Sequence, residues 1–463
     1  MNVKLIFPPF LQDYVPIAPL GIASITSYLK EKGFDVEQDD LSIKCLNIQG
    51  PKTKIINLEA FDSAYTDRIF SEIKRNKITP YHNYLTKKIL ALTNYKGFDI
   101  VAFSIYCQAQ LLVSLLMAQK IKTETESKIV FAGPYIKEVF RELLDEFTII
   151  DFVIHNEGEI AFEALINSLE KKEDLQKVPG IAYIKDNKLH INPVKYLDVD
   201  EIPPPNFDGL SLSQYPSYQG LPIQLSKGCL SNCAYCTFKY DSPCFKEKSI
   251  SKIIHDISYL KEKYKVKRFN FMPSNALNNT KGFVLDLCKN LIKEGLDLDW
   301  RAYIKPFPLN EEMIKLMKQS GCEFLFFGVE SVNQERLRNI KKKVDVQLTK
   351  KILRLAHDLK IRTRVALIYG FPYETIEEFH ENLNFIKENY NNIDEVNYNR
   401  FRLERNSYIF NHPEEYKIRI GKQVYTGSLE YTFDEINRFR HDKRLKFIND
   451  NVRNNDFAKK LLR

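Results

Sequence analysis

With 463 residues, 44% of them hydrophobic and 28% charged, the chain has the composition of a globular protein of two or three domains. Its longest apolar run, near Leu111 to Ala118, is too short to span a bilayer, and MNVKLIFPPF lacks the charged and apolar regions of a secretory signal; a cytoplasmic chain with no membrane span is expected. The 68 basic residues exceed the 60 acidic ones by only +8, dispersed through Lys-rich helical stretches and the segment from Arg438 onward, which predicts solvated helix faces and no nucleic-acid partner.

From the N-terminus, short apolar runs alternate with helical ones: VKLIF, PLGIASITSYLKEKG, DVEQDD, DIVAFSIY, LLVSLLMAQKIKT and KIVFAG. This alternation predicts a parallel sheet covered on both faces, an α/β domain of flavodoxin-like, Rossmann-like kind over residues 1–175. Ligands of such sheets bind beyond the carboxyl ends of the strands. Those ends carry Pro8 and Pro9, Asp39 and Asp40, Ser104 to Gln108, and Gly133 to Tyr135. The absence of GxGxxG argues against a dinucleotide. Residues 176–218 read as a linker, with a hairpin in IAYIKDNKLHI turning at Asp186 and Asn187, and with Pro203 to Pro205 holding the chain extended.

The βα alternation then resumes as LPIQLS, RFNFMP, WRAYIK, EFLFFGVE, RTRVALIYG and EVNYNRFRL, each separated by a helical stretch. Six such units predict a partial (β/α)6 barrel over 219–410, with its chemistry at the carboxyl end of the strands. The loop after the first of them holds Cys229, Cys233 and Cys236 in KGCLSNCAYCTF. Eight scattered cysteines without a secretory signal do not suggest disulfides, and a structural zinc site would need a fourth ligand, for which only Cys244 is near. Three thiolates can ligate three corners of a four-iron cluster and leave one iron open to a small molecule. Gly228 allows close backbone approach, and Tyr235 offers an aromatic face beside the cysteines.

CLSNCAYC, FFGVES and LKIRTRVALIYGFPYETIEEF, in this order, resemble the radical S-adenosylmethionine (SAM) enzymes. PPF followed by APLGIASITSYLKEKGFDV, then FDIVAFSIY, IVFAGPY and HNEGEIAFEAL, resemble the cobalamin-binding domain of the cobalamin-linked members of that family. The resemblance covers about residues 1–410. It implies that Cys229, Cys233 and Cys236 ligate a 4Fe-4S cluster whose open iron takes SAM, which is cleaved to methionine and a 5'-deoxyadenosyl radical. It further implies SAM contacts from Tyr235 to the adenine, from Glu330 and Ser331 around the ribose or methionine end, and from Arg364 to the carboxylate. Cobalamin would meet Pro8, Ser104, Tyr106, Gly133 and Glu157.

Three departures from the family pattern stand out. Pro273, Ser274 and Asn275 replace an acidic residue after the second barrel strand, Tyr373 occupies a usual glycine position, and no DxHxxG supplies a histidine to cobalt, His82 and His155 being the only histidines of the first domain. The implied activity is methylation of an unactivated carbon in a peptide, lipid or small metabolite, fed by an electron donor such as flavodoxin or ferredoxin. A radical rearrangement, dehydration or epimerisation, and a noncatalytic electron-transfer or scaffold role, are the alternatives. Residues 411–463 are expected to form a small helical region that closes the barrel's open side.

Overall fold

The computed structural model describes residues 1–9, 16–48, 62, 65–237, 245–273, 277, 282–305 and 309–461. The chain divides into two units, Met1–Gln219 with Tyr425–Ser428, and Gly220–Val424 with Leu429–Arg463. No helix among the described residues is long and apolar enough to cross a membrane.

In the first unit β1 (Asn2–Phe7), β2 (Asp35–Asp40), β3 (Ile100–Ser104), β4 (Lys128–Ala132) and β5 (Phe152–Ile154) pair in parallel in the order 2-1-3-4-5. This is a flavodoxin-like order, whose direction of winding reverses between β1 and β3 and opens a crevice at their carboxyl ends. Val3, Ile6, Val101 and Phe103 are fully buried, as strands covered on both faces require. The expected hairpin forms as β6 (Ile181–Lys185) and β7 (Lys188–Ile191), with Asp186 and Asn187 both at positive φ, the geometry of a type I′ turn. It extends the first sheet antiparallel to β5, so this part of the 176–218 segment is sheet edge in addition to connector. The prolines that follow are fastened to the same unit: Ser27 donates to the Pro204 carbonyl at 2.6 Å, and Gln38 donates to the carbonyls of Asn206 and Asp208.

The second unit carries β8 (Leu221–Lys227), β9 (Lys246–Glu247), β10 (Arg268–Pro273), β11 (Asp299–Ile304), β12 (Cys322–Glu330), β13 (Arg362–Tyr369) and β14 (Glu395–Arg400). Six of these are parallel in the order 8-10-11-12-13-14, and β9 pairs antiparallel at the β8 edge. The sheet is open, matching the partial barrel expected. Alternation along β12 divides its residues: Leu325, Phe327 and Val329 are fully buried, whereas Phe326, Gly328 and Glu330 on the other face are half-buried.

Most of the following helices start on a side-chain cap supplied by the sequence. Ser249, Asn310, Asn333, Asp345 and Thr375 accept from the amides of Lys252, Met313, Arg336, Leu348 and Glu378 respectively. Each cap satisfies an otherwise orphaned amide. Beyond β14, the expected helices Tyr408–Asn411, His441–Arg453 and Asp456–Leu461 are joined by a three-stranded antiparallel sheet of β15 (Leu403–Glu404), β16 (Ile418–Gln423) and β17 (Glu430–Glu435), which the sequence reading did not include.

Candidate functional site

Cys229, Cys233 and Cys236 are unpaired by disulfides and half-buried, in the segment that leaves the carboxyl end of β8. Gly228 turns the chain there at φ 74°. Between the second and third cysteines Ala234 is fully buried and fastened twice through its backbone: its amide donates to the Ile340 carbonyl at 2.8 Å, and its carbonyl accepts from Ile409 at 2.9 Å. The amide of Ser231 donates to the Cys229 sulfur at 3.3 Å. Cys244, Ser274 and Asn275 lie outside the described residues, and Pro273 closes β10. Among the described residues no three His, Cys, Asp or Glu side chains converge as a site for a single metal ion.

The electrostatics join the three sulfurs. Burial pushes the Lys305 ammonium below its ordinary value, and the thiolates of Cys229, Cys233 and Cys236 all oppose that depression. Lys342 has burial against it, yet Glu330, Cys233 and Cys236 together hold it above its ordinary value. Tyr235 is pushed well above the usual phenol range by burial first, then by the Glu330 carboxylate and the Cys233 and Cys236 thiolates, and its hydroxyl bonds to Glu330. Its ring meets Phe371 edge to face at 5.9 Å. Cys229, Cys233, Cys236, Tyr235, Glu330, Lys305 and Lys342 therefore form one cluster at the carboxyl end of the strands. Soft thiolate donors flanked by two ammonium groups suit an anionic iron-sulfur centre.

Glu330 ends β12 in the left-handed region, at φ 68°, with Lys342 Nζ 3.4 Å from its Oε1. Gly328 makes room for this pair: a Cβ there would stand 2.9 Å from Glu330 Oε1 and 3.3 Å from Lys342 Nζ. Ser331 is buried and its Oγ accepts from the amide of Asn333 at 3.2 Å, so at least one of its lone pairs serves the turn. Arg364 lies apart from this group. It is the third residue of β13, towards the amino end of the strand, where its guanidinium pairs with Glu395 on β14 and covers the rings of Phe324 and Phe326. Tyr373 adopts φ 59°, the conformation expected of the glycine it replaces.

Lys305 and Lys342 were not anticipated from the sequence. Lys305 is the last residue of the run WRAYIK, at the strand end where chemistry was expected, and that position was its one legible signal. Lys342 sits in NIKKKVD, where nothing separates it from its neighbours until the fold brings it to Glu330.

In the first unit Pro8, Ser104 and Tyr106 gather at the β1/β3 crevice. Gln110 links two of these loops, its Nε2 donating to the Pro8 carbonyl at 2.9 Å while its Oε1 accepts from the Tyr106 amide at 2.7 Å. Tyr106 is exposed and meets Phe7 edge to face at 5.6 Å. A Cβ on Gly21 would come 3.3 Å from the Tyr106 hydroxyl and 3.9 Å from Ser104 Oγ, so the glycine leaves a hollow between helix and strand ends. Gly133 has φ 108° and backs onto Ile105, whose carbonyl oxygen would be 2.5 Å from a Cβ, so its want of a side chain serves the β3–β4 packing. Glu157 stands in the loop after β5. Asp39 and Asp40 are engaged internally, Asp39 by Lys4, Lys44 and Thr93, and Asp40 by the amides of Ser42 and Ile43 and the hydroxyl of Tyr215. His82 and His155 are both occupied: His82 Nδ1 lies 2.7 Å from Glu72, and His155 stacks on Phe140 with Nε2 3.2 Å from the Asn192 carbonyl.

Comparison with known proteins adds three kinds of match. The profile of the Radical SAM superfamily matches residues 223–386. Uncharacterized methyltransferase PH0819 of Pyrococcus horikoshii is 30% identical over 265 residues, 56% of this chain and 57% of that protein. The anaerobic magnesium-protoporphyrin IX monomethyl ester cyclase of Synechocystis is 24% identical over 382 residues, 80% of this chain and 69% of the cyclase. The chain thus spans a little over half the length of the first relative. Among solved structures, the radical S-adenosylmethionine methyltransferase TsrM of Kitasatospora setae, with cobalamin and a [4Fe-4S] cluster bound, superposes with a TM-score of 0.67 at 15% identity over 91% of this chain and 77% of TsrM. That likeness is one of fold.

Proposed function

We propose, from the membership of residues 223–386 in the Radical SAM superfamily, that the chain is an enzyme that cleaves SAM reductively and uses cobalamin to methylate an unactivated carbon. The observation that carries the reading is the cysteine cluster, three cysteines in one loop with Lys305, Lys342, Glu330 and Tyr235 about them. Cys229, Cys233 and Cys236 would hold the 4Fe-4S cluster, which when bound supplies the electron that breaks the SAM sulfonium bond into methionine and a 5'-deoxyadenosyl radical.

The chain's own residues bind and shelter that reaction. Glu330, half-buried and carrying the bond from Tyr235, offers carboxylate oxygens to the ribose hydroxyls, and the Tyr235 ring offers an apolar face to the adenine. Lys342 pairs with Glu330 and holds its carboxylate in place. Ser331 contributes a hydroxyl at the same strand end. Arg364, spent on Glu395, remains the weakest of the assigned contacts. In the first unit, the hollow at Gly21, Ser104 and Tyr106 and the loops bearing Pro8, Gly133 and Glu157 would receive cobalamin, which when bound carries the methyl group. His82 and His155 are both engaged within the fold, so neither would be expected to hold cobalamin. A low-potential donor of flavodoxin or ferredoxin type would supply the electron.

A second reading, radical chemistry without methyl transfer, is favoured by the length of the match to the cyclase, 80% of this chain. Protein reconstituted anaerobically with iron and sulfide, then given SAM and dithionite, should release 5'-deoxyadenosine, and C233A should not. Failure of the wild-type protein to do so would reject SAM cleavage. Cobalamin titration and SAM labelled in its methyl group separate the two readings: label retained in methionine and no cobalamin uptake would leave only the second.

A further inference from the structure

Lys305 follows β11 and donates from Nζ to Oγ of Ser231, inside the cysteine loop itself. Ser231 in turn donates its amide to the Cys229 sulfur at 3.3 Å. A cation is thus moored to the loop through the residue that also touches a sulfur. The other ammonium of the cluster, Lys342, is matched by the carboxylate of Glu330 at 3.4 Å. Among the described residues no carboxylate is within ion-pair distance of Lys305, so its charge acts on the loop without a counter-ion from them.

We infer that Lys305 tunes the reduction potential of the iron-sulfur centre held by Cys229, Cys233 and Cys236, its positive charge making the centre easier to reduce. The inference rests on the cluster reading given above. Accepting one electron makes the centre more negative by one charge, and a fixed cation beside it stabilises that state more than the oxidised one. Half-burial strengthens the effect, because water screens the interaction only in part. Ser231, which takes the Lys305 bond, lies between Cys229 and Cys233 in the loop, so the charge is held within the segment that bears the sulfurs. The Ser231 bond supplies the positioning: a free lysine stem would spread the charge over many rotamers and lengthen its mean distance from the loop.

The test is a potentiometric titration with dithionite, a one-electron reductant, followed by electron paramagnetic resonance on reconstituted full-length protein without SAM. K305M should make reduction about tenfold less favourable, a fall of about 59 mV for a one-electron couple. K305R, which keeps the charge, should recover most of the fall, and S231A, which releases the lysine, should give a smaller fall of the same sign. Unchanged potential in K305M at equal iron and sulfide content would overturn the inference, and so would an equal fall in K305R, which would make packing the cause. If K305M takes up no iron, S231A decides alone, and an unchanged potential there overturns the proposal. A lysine whose work is to hold an anionic group of SAM would leave the SAM-free potential unmoved, the overturning result. Wild-type protein that binds no iron or sulfide fails earlier, by rejecting the cluster reading itself.

Discussion

The amide of Tyr373 donates to Oε1 of Glu435 at 2.6 Å, across 62 positions of sequence. The same carboxylate oxygen lies 2.7 Å from Nη1 of Arg444, and Arg444 donates from Nη2 to the carbonyl of Phe371. The turn that follows β13 is therefore gripped from two sides by β17 and the helix His441–Arg453. The Tyr373 hydroxyl adds a third hold, its one proton shared between the carbonyls of Lys417 at 3.0 Å and Ile436 at 2.5 Å. A non-glycine residue in the left-handed region costs about 1–2 kcal/mol, and these bonds offset it.

Tyr373→Phe keeps the ring and removes only the hydroxyl bonds. It should lower stability by about 1 kcal/mol, since the side chain is partly exposed and water replaces part of the loss. The midpoint of urea unfolding measures this, and a variant as stable as the parent would show the hydroxyl contributes nothing.

Arg444→Met should be far more damaging. Glu435 has no side-chain exposure and Arg444 only 2%, so the substitution strands a buried carboxylate at a cost of about 3–5 kcal/mol. Replacing both residues by apolar ones should recover much of that loss. Equal losses in the single and double variants would mean that the two charges are not coupled.

Glu374 gives the fold a pH dependence of definite sign. It is buried, accepts from the Gly370 amide, and is pushed from the ordinary 4.5 up to about 7 by burial, which that bond and the Arg336 and Arg444 guanidiniums only partly oppose. Between those two pH values the folded chain keeps a proton that the unfolded chain has released. Stability should thus be greatest below the window and fall by about 3 kcal/mol as pH rises through it. Glu374→Gln stands in for the protonated acid and does not ionise, so the variant's urea midpoint should gain on the parent's as pH rises through the window, and parallel profiles would contradict the assignment.

Much of this architecture is legible in the sequence because it is periodic. The apolar runs of β1, β3 and β4 and of β8, β12 and β13 specify buried strands, and Asp186-Asn187 specifies its own turn. What escapes is contact between distant residues. Arg364 could be placed on its barrel strand, but its register opposite Glu395, which decides its partner, could not be read. Tyr373 could be seen to replace a glycine, yet the bonds that let it adopt φ 59° come from residues far along the chain. The strands IRIGKQ and EYTFDE, largely polar and mostly not fully buried, carry too weak an alternation to announce the C-terminal sheet.

Gly328→Ala tests the strand end directly. Its Cβ would stand 2.9 Å from Glu330 Oε1, so the carboxylate must move from Lys342 and Tyr235. SAM affinity should weaken about tenfold, or about 1.4 kcal/mol, with iron content unchanged. Titration calorimetry that finds equal affinity would remove Glu330 from the SAM contacts.

The two backbone bonds at Ala234 owe nothing to iron. Many metal sites take their shape only when the metal arrives, but here the span between Cys233 and Cys236 is stitched to Ile340 and Ile409 by peptide groups alone. Loading the site is then closer to filling a mould than to casting one. Iron lost to oxygen would leave the mould standing, and amide exchange at Ala234 should be equally slow in emptied and refilled protein.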